Sequence, residues 1–241
     1  MGQPVEIHVC KDYDEAVAKL QNQQAEFAFL SPLVFLEAEE KANVKVLLKK
    51  VYGQSEFYYS ALVVKKESPL KSVADLKGKK IAFVDKKSAS GFMYPMVAIH
   101  KAGLSLSDFA HQFLGNHDDA FASMLNGEAD VAAVWADEPE SGKGVWSVDK
   151  FADQNPQVRV LSYSEPIPND AFVVSRSFYE SNPDRVLKMM DTLIAVSDDQ
   201  SQVLKNVLGV DSLATATSRH YDVVRALKKI SSSNARLFSE N

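Results

Sequence analysis

The stretch Ile81-Ala82-Phe83-Val84-Asp85-Lys86-Lys87-Ser88-Ala89-Ser90-Gly91-Phe92-Met93-Tyr94-Pro95 decides how this chain is read. The apolar run 81–84 has the pattern of a short buried strand, and the small residues 88–91 hand it to a helix expected over 90–101, with Gly103 suited to its C-terminal cap. At a helix start the first backbone N–H groups have no carbonyl partner inside the helix, and the helix dipole adds partial positive charge. An oxyanion fits such a place. Ser88, Ala89, Ser90 and Gly91 are small enough to let a ligand reach the backbone, and the two hydroxyls can add hydrogen bonds. The same residues also suit a plain helix cap, so the rest of the chain has to decide between the two readings.

Outward from that stretch, strands and helices alternate. On the N-terminal side, the apolar alternation at 5–10 reads as a strand that buries Cys10, and an acid-rich helix pattern follows from Asp12. The run 27–30 reads as a strand, and Ser31-Pro32 as a cap and first position of a second helix. Strands are expected over 44–51 and 58–64, with a short helical turn at 73–76. On the C-terminal side come a strand at 109–114, an amphipathic helix after Gly115-Asn116-His117-Asp118-Asp119, a buried strand at 130–135 and an acidic surface loop at 137–144. Strands at 158–162 and 171–174 flank the rigid turn Pro166-Ile167-Pro168-Asn169-Asp170, and helices are expected at 183–196, 200–208 and 218–230. This alternation argues for an α/β architecture with a largely parallel sheet.

Composition narrows the function. The 241 residues suffice for one large or two modest domains, and 46% hydrophobic with 24% charged residues is ordinary for a soluble globular protein. No apolar run approaches the roughly 18 residues of a membrane span. A net charge of −5 argues against a nucleic-acid surface, so any anion must be captured locally. The histidines His8, His100, His111 and His220 show no metal-ligand spacing among themselves, so neither a metal nor another cofactor is expected. There is no G-x-S-x-G elbow, and no enzymatic activity is expected.

Five signals occur in a fixed order: Asp12-Tyr13 at a helix start, Tyr58 before the Leu62-Val63-Val64 strand, the S-x-S-G-x-x-x-P of Ser88 to Pro95, Gly115-Asn116-His117, and the Pro166-Ile167-Pro168-Asn169-Asp170 turn. Together they resemble the phosphonate, phosphite and phosphate substrate-binding proteins of ABC importers, over residues 5–174 at least. The resemblance implies a two-lobed periplasmic binding protein fold, with a tetrahedral head group held in a cleft between lobes. The first lobe would comprise 1–85 and 171–241, and the second 86–170. By the same resemblance the ligand residues are Tyr13, Tyr58, Ser88, Ala89, Ser90, His117 and Asp170. Asp137 or Glu138 would meet the ammonium group of an aminoalkylphosphonate.

Each residue type suits its place. The two tyrosines offer hydroxyls on rigid rings, and His117 can donate to an anionic oxygen, more strongly if protonated. Asp170 would accept a hydrogen bond from a protonated ligand oxygen and so disfavour sulfate. Lys86 and Lys87 read as a surface pair that draws anions in. Ala89 stands where the family often has Thr, which removes one side-chain donor.

The resemblance further implies an exported protein, periplasmic or lipid-anchored outside the cytoplasmic membrane, that works with a membrane permease. A sensory module for a signalling partner, or a non-binding remnant of the fold, are the alternatives. The family usually begins with one more strand and helix than the segment matching Val5, so about one βα unit is expected to be absent. The chain would then be monomeric unless another chain supplies that strand.

Overall fold

The structure is a computed structural model and describes residues 5–198 and 202–233. In chain order its elements are α1 (Tyr13–Gln21), β1 (Phe27–Leu30), α2 (Pro32–Lys41), β2 (Val44–Val51), β3 (Phe57–Lys65), β4 (Lys80–Phe83), α3 (Tyr94–Lys101), β5 (Ala110–Phe113) and α4 (His117–Leu125). There follow β6 (Val131–Ala136), β7 (Val158–Tyr163), β8 (Ile167–Pro168), β9 (Ala171–Ser175), α5 (Arg176–Ser181), α6 (Pro183–Asp198), α7 (Val203–Leu208), β10 (Ser212–Thr215) and α8 (Asp222–Ser233). The single turn expected at 73–76 is present as a 3₁₀ turn over Val73–Leu76. Of the helix expected at 200–208, Val203–Leu208 is helical, while 199–201 lie outside the described residues.

The chain divides into two units. Unit 1 holds the described residues up to Glu56 together with Pro168–Asp222, and unit 2 holds Phe57–Ile167 with the described residues from Val223 onward. The sequence reading had put 1–85 with 171–241. The segment 57–85 instead belongs to unit 2, because β3 pairs with β6 and β7, and β4 pairs with β5 and β6.

The sheet of unit 1 has the order β1-β9-β2-β10. β9 runs antiparallel to both β1 and β2, and β10 runs antiparallel to β2. The register sets Leu30 opposite Ala171, and Ala171 opposite Lys49, so the residues just before β9 lie at the end of β1 and beside β2. One apolar face of the sheet gathers Leu48, Phe172, Val174, Val186, Leu204 and Leu213. Burying side chains of this size contributes about 1.5–3 kcal/mol each. On α2, Val34, Phe35 and Leu36 are buried, and the Phe35 ring lies 4.7 Å from that of Tyr221.

Unit 2 is built on the order β5-β4-β6-β3-β7, with the short β8 paired to β3. β4 is parallel to β5 and β6, whereas β3 is antiparallel to β6 and β7. Among the described pairs the sheet of unit 1 is therefore antiparallel and that of unit 2 mixed, not largely parallel as strand and helix alternation implies, because β9 and β3 run against the direction of their neighbours. α4 buries Ala120, Phe121 and Met124 against Ala61, Val63, Ala132 and Val134. That stripe follows the helical spacing visible in the sequence.

Residues 5–10, expected as a buried strand, form no regular element. Val5, Ile7 and Val9 are exposed, and Cys10 is only half-buried. Alternating apolar residues make a strand only where a neighbour takes their backbone hydrogen bonds, and none of the described strands pairs with this segment. Ser31 precedes Pro32 as expected, but its hydroxyl makes no capping bond.

Candidate functional site

The end of β4 leads into a tight loop in unit 2. Ser88 N–H donates to the Asp85 carbonyl, and Ser88 Oγ accepts from Gly91 N–H at 2.9 Å. The helix expected from Ser90 begins instead as a π-helical turn over Ala89–Met93 before α3 takes over. Phe92 in that turn packs edge-on against Phe83 and Phe113, with centroids 5.1 Å away in each case. Gly91 is required here for space. A Cβ on it would stand 2.4 Å from Val84 Cγ2 and 2.5 Å from Val84 Cβ.

Ser88, Ala89 and Ser90 are each only 2% exposed. Among the described residues, no hydrogen bond engages the N–H groups of Ala89 and Ser90. Two adjacent buried amides without a partner are a costly arrangement unless a ligand supplies the acceptor. Their position at a helix start makes an anion the fitting acceptor.

Two residues that the sequence reading passed over hold this loop and its neighbours. Ser60 on β3 donates its hydroxyl to the Ser90 carbonyl at 2.6 Å. Directly opposite Ser60 in the β3–β6 register is Trp135, whose backbone N–H donates to His117 Nδ1 at 3.2 Å. Nδ1 is thus an acceptor, and the proton of the neutral imidazole sits on Nε2. With Nδ1 accepting from Trp135, Nε2 is the ring nitrogen left to donate to a ligand oxygen. His117 itself opens α4, where Asn116 Oδ1 caps Asp119 N–H at 2.8 Å.

The β3–β6 register ends at the Tyr59–Ala136 pair, with Tyr58 preceding it on one strand and Asp137 following it on the other. Asp137 is half-buried, whereas Glu138 is exposed and caps the Pro139–Ser141 turn. Burial, and then the charges of Glu138, Glu140 and Glu165, push the Tyr59 phenol up, a sign of acidic surroundings at this end of β3. Ser88, Ala89, Ser90, Tyr58, His117 and Asp137 all belong to unit 2. Of the two lysines in the loop, Lys86 lays its ammonium 5.4 Å from the centroid of the Phe113 ring, and Lys87 donates its N–H to Asp85 Oδ1.

Tyr13 and Asp170 belong to unit 1. Tyr13 is half-buried at the first position of α1, behind the Asp12 cap that accepts from Glu15 N–H at 2.8 Å. Asp170 does not stand alone. Its Oδ2 accepts from Lys50 Nζ at 3.0 Å, and its carbonyl accepts from Lys50 N–H at 3.0 Å. The preceding Asn169 is buried and braced, donating through Nδ2 to the Ser55 carbonyl and accepting at its own carbonyl from Tyr221 Oη.

The histidine spacing in the sequence did not show that His8, Cys10 and Glu15 bring donor atoms within 4.8 Å of one another. Glu15 is already engaged there by His8 Nε2, by Lys11 N–H and by Lys19.

Two α/β units, one of which ends a strand in a loop whose Ala89 and Ser90 amides no described residue engages, have the fold of the periplasmic binding proteins. The chain belongs to the family of ABC-transporter phosphonate periplasmic substrate-binding proteins, whose profile matches residues 1–221. It is similar to the phosphonates-binding periplasmic protein of Escherichia coli, at 26% identity over 196 residues, which is 77% of this chain and 55% of the relative. Among solved structures it is similar to a binding-protein component of an ABC phosphonate transporter from Pseudomonas aeruginosa, with a TM-score of 0.77, 16% identity and coverage of 96% of this chain and 77% of that one. PhnD1 of Prochlorococcus marinus in complex with methylphosphonate gives a TM-score of 0.75 at 16% identity, covering 91% of this chain and 83% of that one. The chain spans about half the length of the curated relatives it matches.

Proposed function

We propose that this chain is the solute-binding component of an ABC importer and captures a phosphonate, phosphite or phosphate anion, without catalysing a reaction. The observation that carries this reading is the pair of buried Ala89 and Ser90 N–H groups that no described residue engages, in a loop held to β3 through the Ser60–Ser90 bond. The amides and the Ser88 and Ser90 hydroxyls take the anionic oxygens, the neutral His117 donates from Nε2, and Tyr58, Tyr13 and Asp170 are further contacts. Asp137, which is half-buried, rather than the exposed Glu138, meets the ligand ammonium. The partner is a membrane permease, and the site of action is the periplasm or the outer face of the cytoplasmic membrane. The family match and the relatives named for phosphonate binding support this role.

Calorimetric titration of ligand-stripped protein with methylphosphonate, 2-aminoethylphosphonate, phosphite and phosphate tests the reading. One-to-one binding of at least one of them is expected. Silence from all four, from a chain shown to be folded by near-UV circular dichroism, would overturn it.

A further inference from the structure

The start of α1 is closed by two reciprocal contacts. Asp12 Oδ1 accepts from Glu15 N–H at 2.8 Å, and Glu15 Oε2 reaches back to accept from Lys11 N–H at 2.8 Å. The second bond fixes one oxygen of the Glu15 carboxylate, while the other, Oε1, lies 3.1 Å from His8 Nε2. Cys10 completes the group: one donor atom from each of His8, Cys10 and Glu15 lies within 4.8 Å of the other two. Among the described residues no other set of three His, Cys, Asp or Glu donors comes so close together. Cys10 is the single cysteine of the chain, so no intrachain disulfide uses it, and its thiol makes no hydrogen bond among the described residues.

We infer that His8, Cys10 and Glu15 form a binding site for one zinc-like divalent transition-metal ion, which ties the segment before α1 to the start of that helix. Nothing in this depends on the anion loop, which lies in unit 2. Imidazole, thiolate and carboxylate are the ligands zinc takes, at about 2.0–2.1, 2.3 and 2.0–2.2 Å in a tetrahedral sphere, which sets the donor atoms about 3.4–3.6 Å from one another. The His8–Glu15 contact is near that spacing already, and the His8 side chain, 55% exposed, is free to adjust. Calcium and magnesium want oxygen donors throughout, so the mixed set favours a softer ion.

The charges balance. A thiolate and a carboxylate offset the two charges of the ion, and the neutral imidazole is the third ligand. On binding, the Cys10 thiol gives its proton to solvent, and His8 carries its one ring proton on Nδ1 so that Nε2 offers its lone pair. Burial and then the Glu15 charge push the Cys10 thiol up, and the ion supplies the positive charge that offsets both. The Lys11 N–H on Oε2 orients the carboxylate, as hydrogen bonds behind metal ligands do. The competing cation is Lys19, whose ammonium lies 3.8 Å from Glu15 Oε1 in a partly exposed i,i+4 pair, a contact weak enough for a divalent ion to displace. Lys11 Nζ is paired with Asp12 at 3.8 Å. The fourth tetrahedral position falls to water.

The test takes the full chain, reduced and freed of metal by a chelator, and titrates it with cobalt(II) and zinc(II) at neutral pH. Cobalt should bind one ion per chain and show the near-ultraviolet charge-transfer band of a thiolate ligand, and one equivalent of zinc should remove that band. Cys10→Ser should abolish it. His8→Gln and Glu15→Gln should each weaken zinc binding by about tenfold or more, measured against a chromophoric chelator. Lys19→Met should keep or tighten it, and His100→Gln, at the exposed end of α3, should leave it unchanged. Zinc should also slow alkylation of Cys10 by iodoacetamide about tenfold or more in the parent chain. Should one ligand variant fail to fold by circular dichroism, the other two carry the test. A folded parent chain without the cobalt band, or a zinc affinity that none of the three ligand variants changes, overturns the inference. So does a band that keeps its full affinity in His8→Gln and Glu15→Gln, since a lone thiol would then account for it. Methylphosphonate titration of the metal-free chain reads the anion site separately, so failure here leaves the binding reading intact.

Discussion

Replacing Gly91 by alanine tests whether the close approach of the loop to β4 is what holds the Ala89 and Ser90 amides in position. The new Cβ would meet Val84 Cγ2 at 2.4 Å, Val84 Cβ at 2.5 Å and Ser88 Oγ at 2.8 Å. A different Val84 rotamer clears the first contact but not the second, so backbone has to move. It moves where Val84 N–H donates to the Gly91 carbonyl at 3.2 Å, and it displaces the Ser88 cap on Gly91 N–H. Overpacking of this kind costs about 1–3 kcal/mol, and loss of a cap about 1 kcal/mol more. At roughly 2–4 °C per kcal/mol for a chain of this size, a total of about 2–4 kcal/mol lowers Tm by about 4–16 °C. Thermal unfolding by near-UV circular dichroism reads the stability, and titration with methylphosphonate well below Tm reads the site. The expected result is a lower Tm together with weaker binding in the still-folded variant. Gly142→Ala is the control: its φ of +64° strains any side chain, yet nothing lies within 4 Å of the added Cβ, so it should cost stability and leave affinity alone. A Gly91→Ala chain that melts and binds as the parent does would refute the idea that this contact shapes the amide pair.

Three further outcomes follow from the same geometry. Ser60→Ala removes the 2.6 Å bond to the buried Ser90 carbonyl, which should cost about 1–3 kcal/mol in urea denaturation and weaken methylphosphonate binding; unchanged affinity would mean the loop holds itself. Tyr94 is 7% exposed and its hydroxyl has no partner among the described residues, so Tyr94→Phe should be neutral or stabilise by up to about 1 kcal/mol at pH 7, and a clear loss of stability would contradict this. Burial, with the Glu165 charge behind it, pushes the Tyr94 phenol up to about 12 from 10. The folded chain therefore holds that proton more tightly, and the contribution is complete below pH 10 and lost as pH rises from 10 toward about 12. Equilibrium unfolding across this window should show the Tyr94→Phe chain losing stability less steeply than the parent, by at most about 1.4 kcal/mol per pH unit. Asp137→Asn should weaken 2-aminoethylphosphonate and spare methylphosphonate in parallel titrations, whereas Glu138→Gln should change neither; the reverse result would move the ammonium contact to Glu138.

What could be read in the sequence and what could not differ in a physical way. The loop after β4 was legible because everything it needs is local: an apolar strand, small residues, and a helix start lie within fifteen positions. The stripe of Ala120, Phe121 and Met124 was legible for the same reason, since helical spacing brings them to one face. Pairing across the chain was not. β9 inserts between β1 and β2 after more than a hundred intervening residues, and β3 lies against the direction of β6, so strand and helix alternation suggests a largely parallel sheet where, among the described strands, only β4 pairs in parallel, with β5 and β6. Residues 5–10 carry the alternation of a strand, yet alternation specifies only which side chains share a face, and a strand exists only where its N–H and C=O groups are taken up. The supports of the candidate site fall in the same class. Ser60 reads as one hydroxyl in the apolar β3, and Trp135 as a core aromatic, until the register sets them opposite each other, one holding Ser90 and the other His117. Lys50 reads as one more surface lysine at the end of β2. Only the fold brings its ammonium within 3.0 Å of Asp170 Oδ2, 120 residues away in the chain, and makes the two a part-buried ion pair.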